Sequence, residues 1–144
     1  MSYIGSNSFA NTNAAPADPT GTTSTTGVMM GLAGSITTGT GRIFVIITGT
    51  MADNTLNDGS KVQIRYGTGT APANGDALTG TAVGSAQRMT EAAASALGAL
   101  CVAAVITGLT LDTAYWLDLS LAAITGGTAN VYDVNIAAFD IPAV

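Results

Sequence analysis

The stretch KVQIRYGTGTAPANGDALTGTAVG, Lys61 to Gly84, decides the fold. Its first six residues alternate, with Val62, Ile64 and Tyr66 on one side and Lys61, Gln63 and Arg65 on the other. Successive side chains of an extended chain point to opposite faces, so this reads as a half-buried strand. The glycines that follow, Gly67, Gly69, Gly75, Gly80 and Gly84, raise the competing reading of a loop wrapped around a phosphate. A Walker loop needs a lysine after its last glycine, and here Asp76 follows Gly75 and no lysine stands nearby. A dinucleotide fingerprint needs a third glycine where Pro72 stands, then a helix that DALTGTAVG does not offer. Turn chemistry accounts for the passage instead: Pro72 sets a turn, Asn74-Gly75 supplies left-handed backbone, and strands resume after it.

The same period runs outward from this stretch. In AYWLDLSL, Tyr115, Leu117, Leu119 and Leu121 share a face opposite Trp116, Asp118 and Ser120. In VYDVNIAAF, Tyr132, Val134 and Ile136 oppose Asp133 and Asn135. IFVII, Ile43 to Ile47, is continuously apolar, as expected of a strand covered on both sides. An aliphatic residue, then Thr, then Gly recurs at Ile47-Thr48-Gly49, Leu78-Thr79-Gly80, Ile106-Thr107-Gly108 and Ile124-Thr125-Gly126, with a variant at Ile36-Thr37-Thr38-Gly39. Threonine favours extended backbone and glycine permits a turn with positive φ, so each mark is read as a strand end. Many short strands with such punctuation predict an all-β sandwich or barrel. MTEAAASALGAL, Met89 to Leu100, has cap-like Thr90 and good helix formers. It reads either as a short helix or as a small-residue loop into a strand from Leu100 to Ile106.

Composition bounds the function. The 144 residues are 47% hydrophobic and only 9% charged, where an ordinary domain carries about a quarter charged residues. A neutral, threonine-rich exterior suits a protein that lives against neighbours. Nine acids against Arg42, Lys61, Arg65 and Arg88 give a net charge of -5, which argues against nucleic acid and against anionic membranes. Ala92 to Leu111 is uncharged for long enough to span a bilayer of ~30 Å, but its Ala, Gly, Ser and Thr give little drive to insert. The opening MSYIGSNSFANTN lacks the basic and apolar regions of a signal peptide. Cys101, the only cysteine, lies in ALCVAAVI and reads as an inert buried thiol.

Chemistry finds few candidates. With no histidine, Ser-His-Asp and Cys-His mechanisms are unavailable, and no pair of carboxylates is brought together by spacing. No catalytic, cofactor or metal residue is assigned, and no enzyme is expected. DNTLNDG, Asp53 to Gly59, loosely resembles a calcium loop, but Ile64 stands where the bidentate glutamate belongs. It reads as an Asx-rich turn, with Asp53, Asn57 and Asp58 as weak candidates for a cation. Residues 1–27 are small, polar and broken by Pro16 and Pro19, and form an extended arm ahead of a β-sandwich domain at 28–144. The arm is either a floppy tail or a segment that docks on a partner through Tyr3, Ile4 and Phe9.

Several passages carry a family resemblance: VMMGLAGSITT, GRIFVIITGT, DGSKVQIRYGTGTAPANGDALTGTAVG and GLTLDTAYWLDLSLAAITGGTANVYDVNIAAF. The chain resembles small structural proteins of tailed bacteriophages and prophages, and its opening resembles those of phage fibre and head-associated proteins. Its strand order is similar to trimeric jelly rolls of the tumour-necrosis-factor and complement head type. The resemblance implies a jelly-roll-like antiparallel β-sandwich, a homotrimer, no cofactor, and a place in the virion after assembly in the bacterial host cytoplasm. It implies a head decoration (cement) protein bound through its arm to the major capsid protein or another virion subunit. The alternative is a tail or fibre module that binds a receptor or carbohydrate. Trp116, the only tryptophan, is then either packed at a subunit or sheet interface or exposed as a sugar platform.

Overall fold

The computed structural model describes residues 9–142. Nine strands follow in order: β1 (Asn11–Ala14), β2 (Val28–Met29), β3 (Gly34–Thr37), β4 (Ile43–Asp53), β5 (Gly59–Gly67), β6 (Thr81–Thr90), β7 (Gly98–Ile106), β8 (Ala114–Ala123) and β9 (Ala129–Asp140). They form two antiparallel sheets. Sheet 1 has the order β1-β9-β4-β7, and sheet 2 the order β2-β8-β5-β6 with β3 also paired to β8. From β3 to β9 the chain crosses between sheets at every connection but β5 to β6, so the two sheets pack as a β-sandwich.

Alternation places the core. Ile43, Val45 and Ile47 of β4, Val102 and Ile106 of β7, and Val134 and Ile136 of β9 point inward from sheet 1. They meet Val62 and Ile64 of β5 and Leu117, Leu119 and Leu121 of β8, all buried in one cluster. Each fully buried aliphatic side chain contributes about 1.5–3 kcal/mol, so this layer supplies most of the drive to fold.

Sheet 2 departs from the half-buried expectation. The outward face of β8 is covered by the chain itself: Trp116, Asp118 and Ala122 are all buried. The glycine-rich passage and the turn after β2 lie over this face, tied together where Met29 N–H donates to Asp76 O and Gly75 N–H donates to Met29 O, each at 2.9 Å. Gly67 and Gly80 let this cover approach the indole, since a Cβ at either would collide with the Trp116 ring. Gly80 also sits at φ 66, a conformation that side chains rarely adopt. The carboxylate of Asp118 accepts N–H bonds from Gly31 at 2.9 Å, Leu32 at 3.0 Å and its own neighbour Leu119 at 2.7 Å. Burial nonetheless pushes its pKa up to about 6 against those bonds.

The 89–100 window contains no helix. β6 runs through Thr90, residues 91–97 form a loop, and β7 begins at Gly98. Ala92 to Leu111 is thus loop, strand and turn, and among the described residues no helix is long and apolar enough to cross a membrane. The described part of the arm lies along its own sandwich: β1 pairs with β9, and Thr22 bridges Ala129. Asp140 fastens its start, accepting from Ala10 N–H at 3.0 Å, Gly39 N–H at 2.9 Å and Thr38 Oγ1 at 2.7 Å. Burial raises the Asp140 pKa, but these bonds outweigh it and hold the carboxyl below its ordinary range.

These two aspartates have opposite pH linkage. Asp118 has a folded pKa above its unfolded value, so its contribution is complete below about 3.8 and is lost as pH rises through about 6. Urea midpoints measured across that interval should fall for the native protein and flatten for Asp118→Asn. An unchanged slope in the variant would remove Asp118 from the account.

Candidate assembly surface

IFVII is read from sequence as covered on both faces, but within one chain only one face is. Ile43, Val45 and Ile47 are fully buried, while Phe44 and Ile46 on the other side of β4 are partly exposed. Register extends this outer face into rows across sheet 1. Phe44 lies between Phe139 of β9 and Val105 of β7, and Ile46 lies between Ala137 and Ala103. Thr48 lies between Asn135 and Cys101. Phe139 and Val105 are each 49% exposed, large values for such side chains in the middle of strands. The Phe44 and Phe139 rings pack at a centroid distance of 5.3 Å, tilted by 41°, so the centre of the row is a preformed aromatic ridge.

No position on these rows carries a charge. The rim on the β1 side is amide: Asn13 pairs with Ala137, and Asn135 Nδ2 donates to Asn13 Oδ1 at 3.0 Å. Contiguous apolar surface with a polar, uncharged rim is the make-up of a protein contact rather than of a solvated face. Cys101 is exposed on this surface, which corrects the expectation of a buried thiol: β7 lines the core with Leu100 and Val102 and turns Cys101 outward between them.

The surface ends at β7, the last strand of sheet 1, whose free edge is partly closed by β6. Opposite Gln63 the β5–β6 register slips, and the bulge carries Gly84 at φ 69 against Ala103 and Ala104. β6 thereby bends over β7. Gln87 then acts as a two-point strand, with Nε2 donating to Ala99 O at 2.8 Å and Oε1 accepting from Cys101 N–H at 2.9 Å. A capped edge is a poor template for stray pairing, so contact is directed to the face.

Of the residues singled out from sequence, Phe9 is 44% exposed and stands one residue before Ala10, at the β1 side of sheet 1. Tyr3 and Ile4 lie outside the described residues. Trp116 is 6% exposed and donates Nε1–H to Thr68 O at 3.2 Å, so its ring is a strut beneath the glycine-rich cover and presents no platform. Asp53 and Asp58 are buried in the Asx turn, where the Asp58 carboxylate is taken up by Gly59 N–H and by Thr125. Among the described residues no group of three or more His, Cys, Asp or Glu comes together as a metal cage. Sequence reading missed Phe44, Ile46, Val105 and Phe139 as surface residues; the usable signal was that IFVII needs two covers and a sandwich provides one.

Compared with known proteins, the chain matches no family model and no curated protein. Gln87→Ala should expose the β7 edge, costing about 1 kcal/mol of stability and speeding exchange of the Cys101 amide roughly fivefold. Unaltered exchange at Cys101 would mean that the edge is not held by Gln87.

Proposed function

We propose that this chain is a non-enzymatic structural protein that works as a homo-oligomer, joined through the outer face of sheet 1. The observation that carries the reading is the uncharged apolar surface centred on Phe44, Val105 and Phe139, which one chain leaves open. A second copy is its best-matched occupant, since the face offers no charge to a charged partner. Its ridge of Phe and Val beside a floor of Ala103 and Ala137 gives like surfaces a way to interdigitate. Closed rotational symmetry satisfies such a face without growing fibres.

The number three and the setting come from the resemblance to tailed-phage structural proteins. On that basis the protein is a trimeric head decoration protein that stabilises the particle by binding the major capsid protein, with the arm as its attachment. The fibre alternative, which needs an exposed aromatic for sugar, draws no support from Trp116.

Light scattering at micromolar concentration should give a mass of three chains of 14.2 kDa for the native protein. Val105→Asp should lower that mass while leaving the circular dichroism of a β-protein intact. A native monomer, or a variant that assembles unchanged, would defeat the assembly reading. Adding the purified trimer to particles that lack it, and locating it by antibody on head or tail, separates the two virion placements.

A further inference from the structure

Two acidic residues with buried side chains meet at one end of the sandwich. Asp53 closes β4 and is fully buried, and Glu91 follows β6 and is 4% exposed. Glu91 Oε1 accepts the Asp53 N–H at 2.7 Å, and Asp53 Oδ1 accepts the Thr55 N–H at 2.7 Å. The second oxygen of each, Asp53 Oδ2 and Glu91 Oε2, is buried without a hydrogen-bond partner. Backbone bonds surround the pair. Glu91 N–H donates to Asp58 O, Asn57 N–H to Glu91 O, and Ser95 N–H to Asp53 O at 2.7 Å. The carboxyls thus sit at the middle of a clasp joining residues 54–58 to residues 91–97.

Two ionised carboxylates cannot share such a place uncompensated, because desolvation costs several kcal/mol per ion and the charges repel. The other charged groups nearby do not help. Asp58 is acidic and engaged with Thr125, and Asp18 and Asp133 line a pocket whose wall includes Ser95. Lys61 and Arg88 are register partners of each other on β5 and β6, and neither reaches the two orphaned oxygens. No third ligand residue completes a metal group among the described residues. A single proton on Glu91 suffices: it removes one of the two charges and turns a carboxylate oxygen into a donor.

We propose that Glu91, buried beside Asp53, holds a proton and forms a pH-released latch, which holds the 91–97 loop against the 54–58 loop. Burial pushes the Glu91 carboxyl above its ordinary range; the Asp53 and Ala96 N–H groups oppose this, and the charge of Asp53 adds to the rise. With the folded pKa raised, the latch is complete at low pH and is lost as pH rises through the Glu91 titration. The Glu91 proton then leaves to solvent, the two carboxylates repel, and the Ser95 bond to Asp53 O opens. Ser95 and Leu97 line a pocket of about 400 Å³ together with Asp18, Tyr132 and Asp133, so release of the latch changes the wall of that pocket.

Native-state amide exchange of the full chain, corrected for intrinsic rates and followed from about pH 5 to 8, tests the latch. The Asp53, Asn57 and Ser95 amides should lose about tenfold of their protection while core-strand amides keep theirs. In Glu91→Gln the protection should stay flat, because the neutral amide has no proton to lose. The carboxyl carbon resonance of Glu91 in the native protein gives a second readout that needs no variant, and should titrate above the usual glutamate value. Flat protection in the native protein, or Glu91 titrating at or below the usual value, would overturn the proposal. So would calcium raising protection of the same amides at fixed pH, which would make the pair a cation site.

Discussion

A two-layer sandwich has one interior, and β4 carries apolar side chains on both of its faces. Everything else in the molecule follows from how that mismatch is met. Ile43, Val45 and Ile47 take the single interior, packed against the leucines of β8. Phe44 and Ile46 are left outside, joined by register to Phe139, Val105, Ala137 and Ala103. Burying apolar surface is worth roughly 25 cal/mol per Å², so an open row of this kind favours association whenever a matching surface is at hand.

The two outer faces are treated differently. Sheet 2 is covered by its own chain, with glycines where the cover must approach Trp116 and with Asp118 collecting the N–H groups of the turn above it. Sheet 1 is left bare. The asymmetry gives association a direction, and the bent β6 with Gln87 on the β7 edge discourages growth sideways. On the opposite side β1 occupies the edge of β9, anchored by Asp140. A low charge, which would be a liability in a solitary domain, fits the proposed occupation of the bare face by another copy.

Strand periodicity was readable because it is local: KVQIRY, AYWLDLSL and VYDVNIAAF became β5, β8 and β9. The exception is the irregularity at Asp133, which puts Val131 in the core and turns Tyr132 away from the face of Val134 and Ile136. The Thr-Gly marks were partly readable. Those after Ile36, Ile106 and Ile124 do end strands, but Gly49 sits inside β4, where the register with β9 slips opposite Asp133 and Val134. A glycine demanded by a bulge has the same sequence signature as one demanded by a turn. Sidedness was least readable. Trp116 and Asp118 alternate as solvent-facing residues should, yet a distant loop covers them, and Cys101 sits in an apolar run yet faces out. The Asp53–Glu91 contact was hidden for the same reason: 38 positions separate partners that only the sandwich brings together.

Cys101 supplies a built-in probe of the central claim, since it is the one thiol and stands on the bare face beside Thr48. Its rate of reaction with a thiol reagent under native conditions reports whether that face is covered. If another copy occupies the face, Cys101 in the assembled protein reacts far more slowly than in a folded Val105→Asp variant. Equal, fast labelling in both would show that the face of sheet 1 is open in solution and that assembly uses another surface.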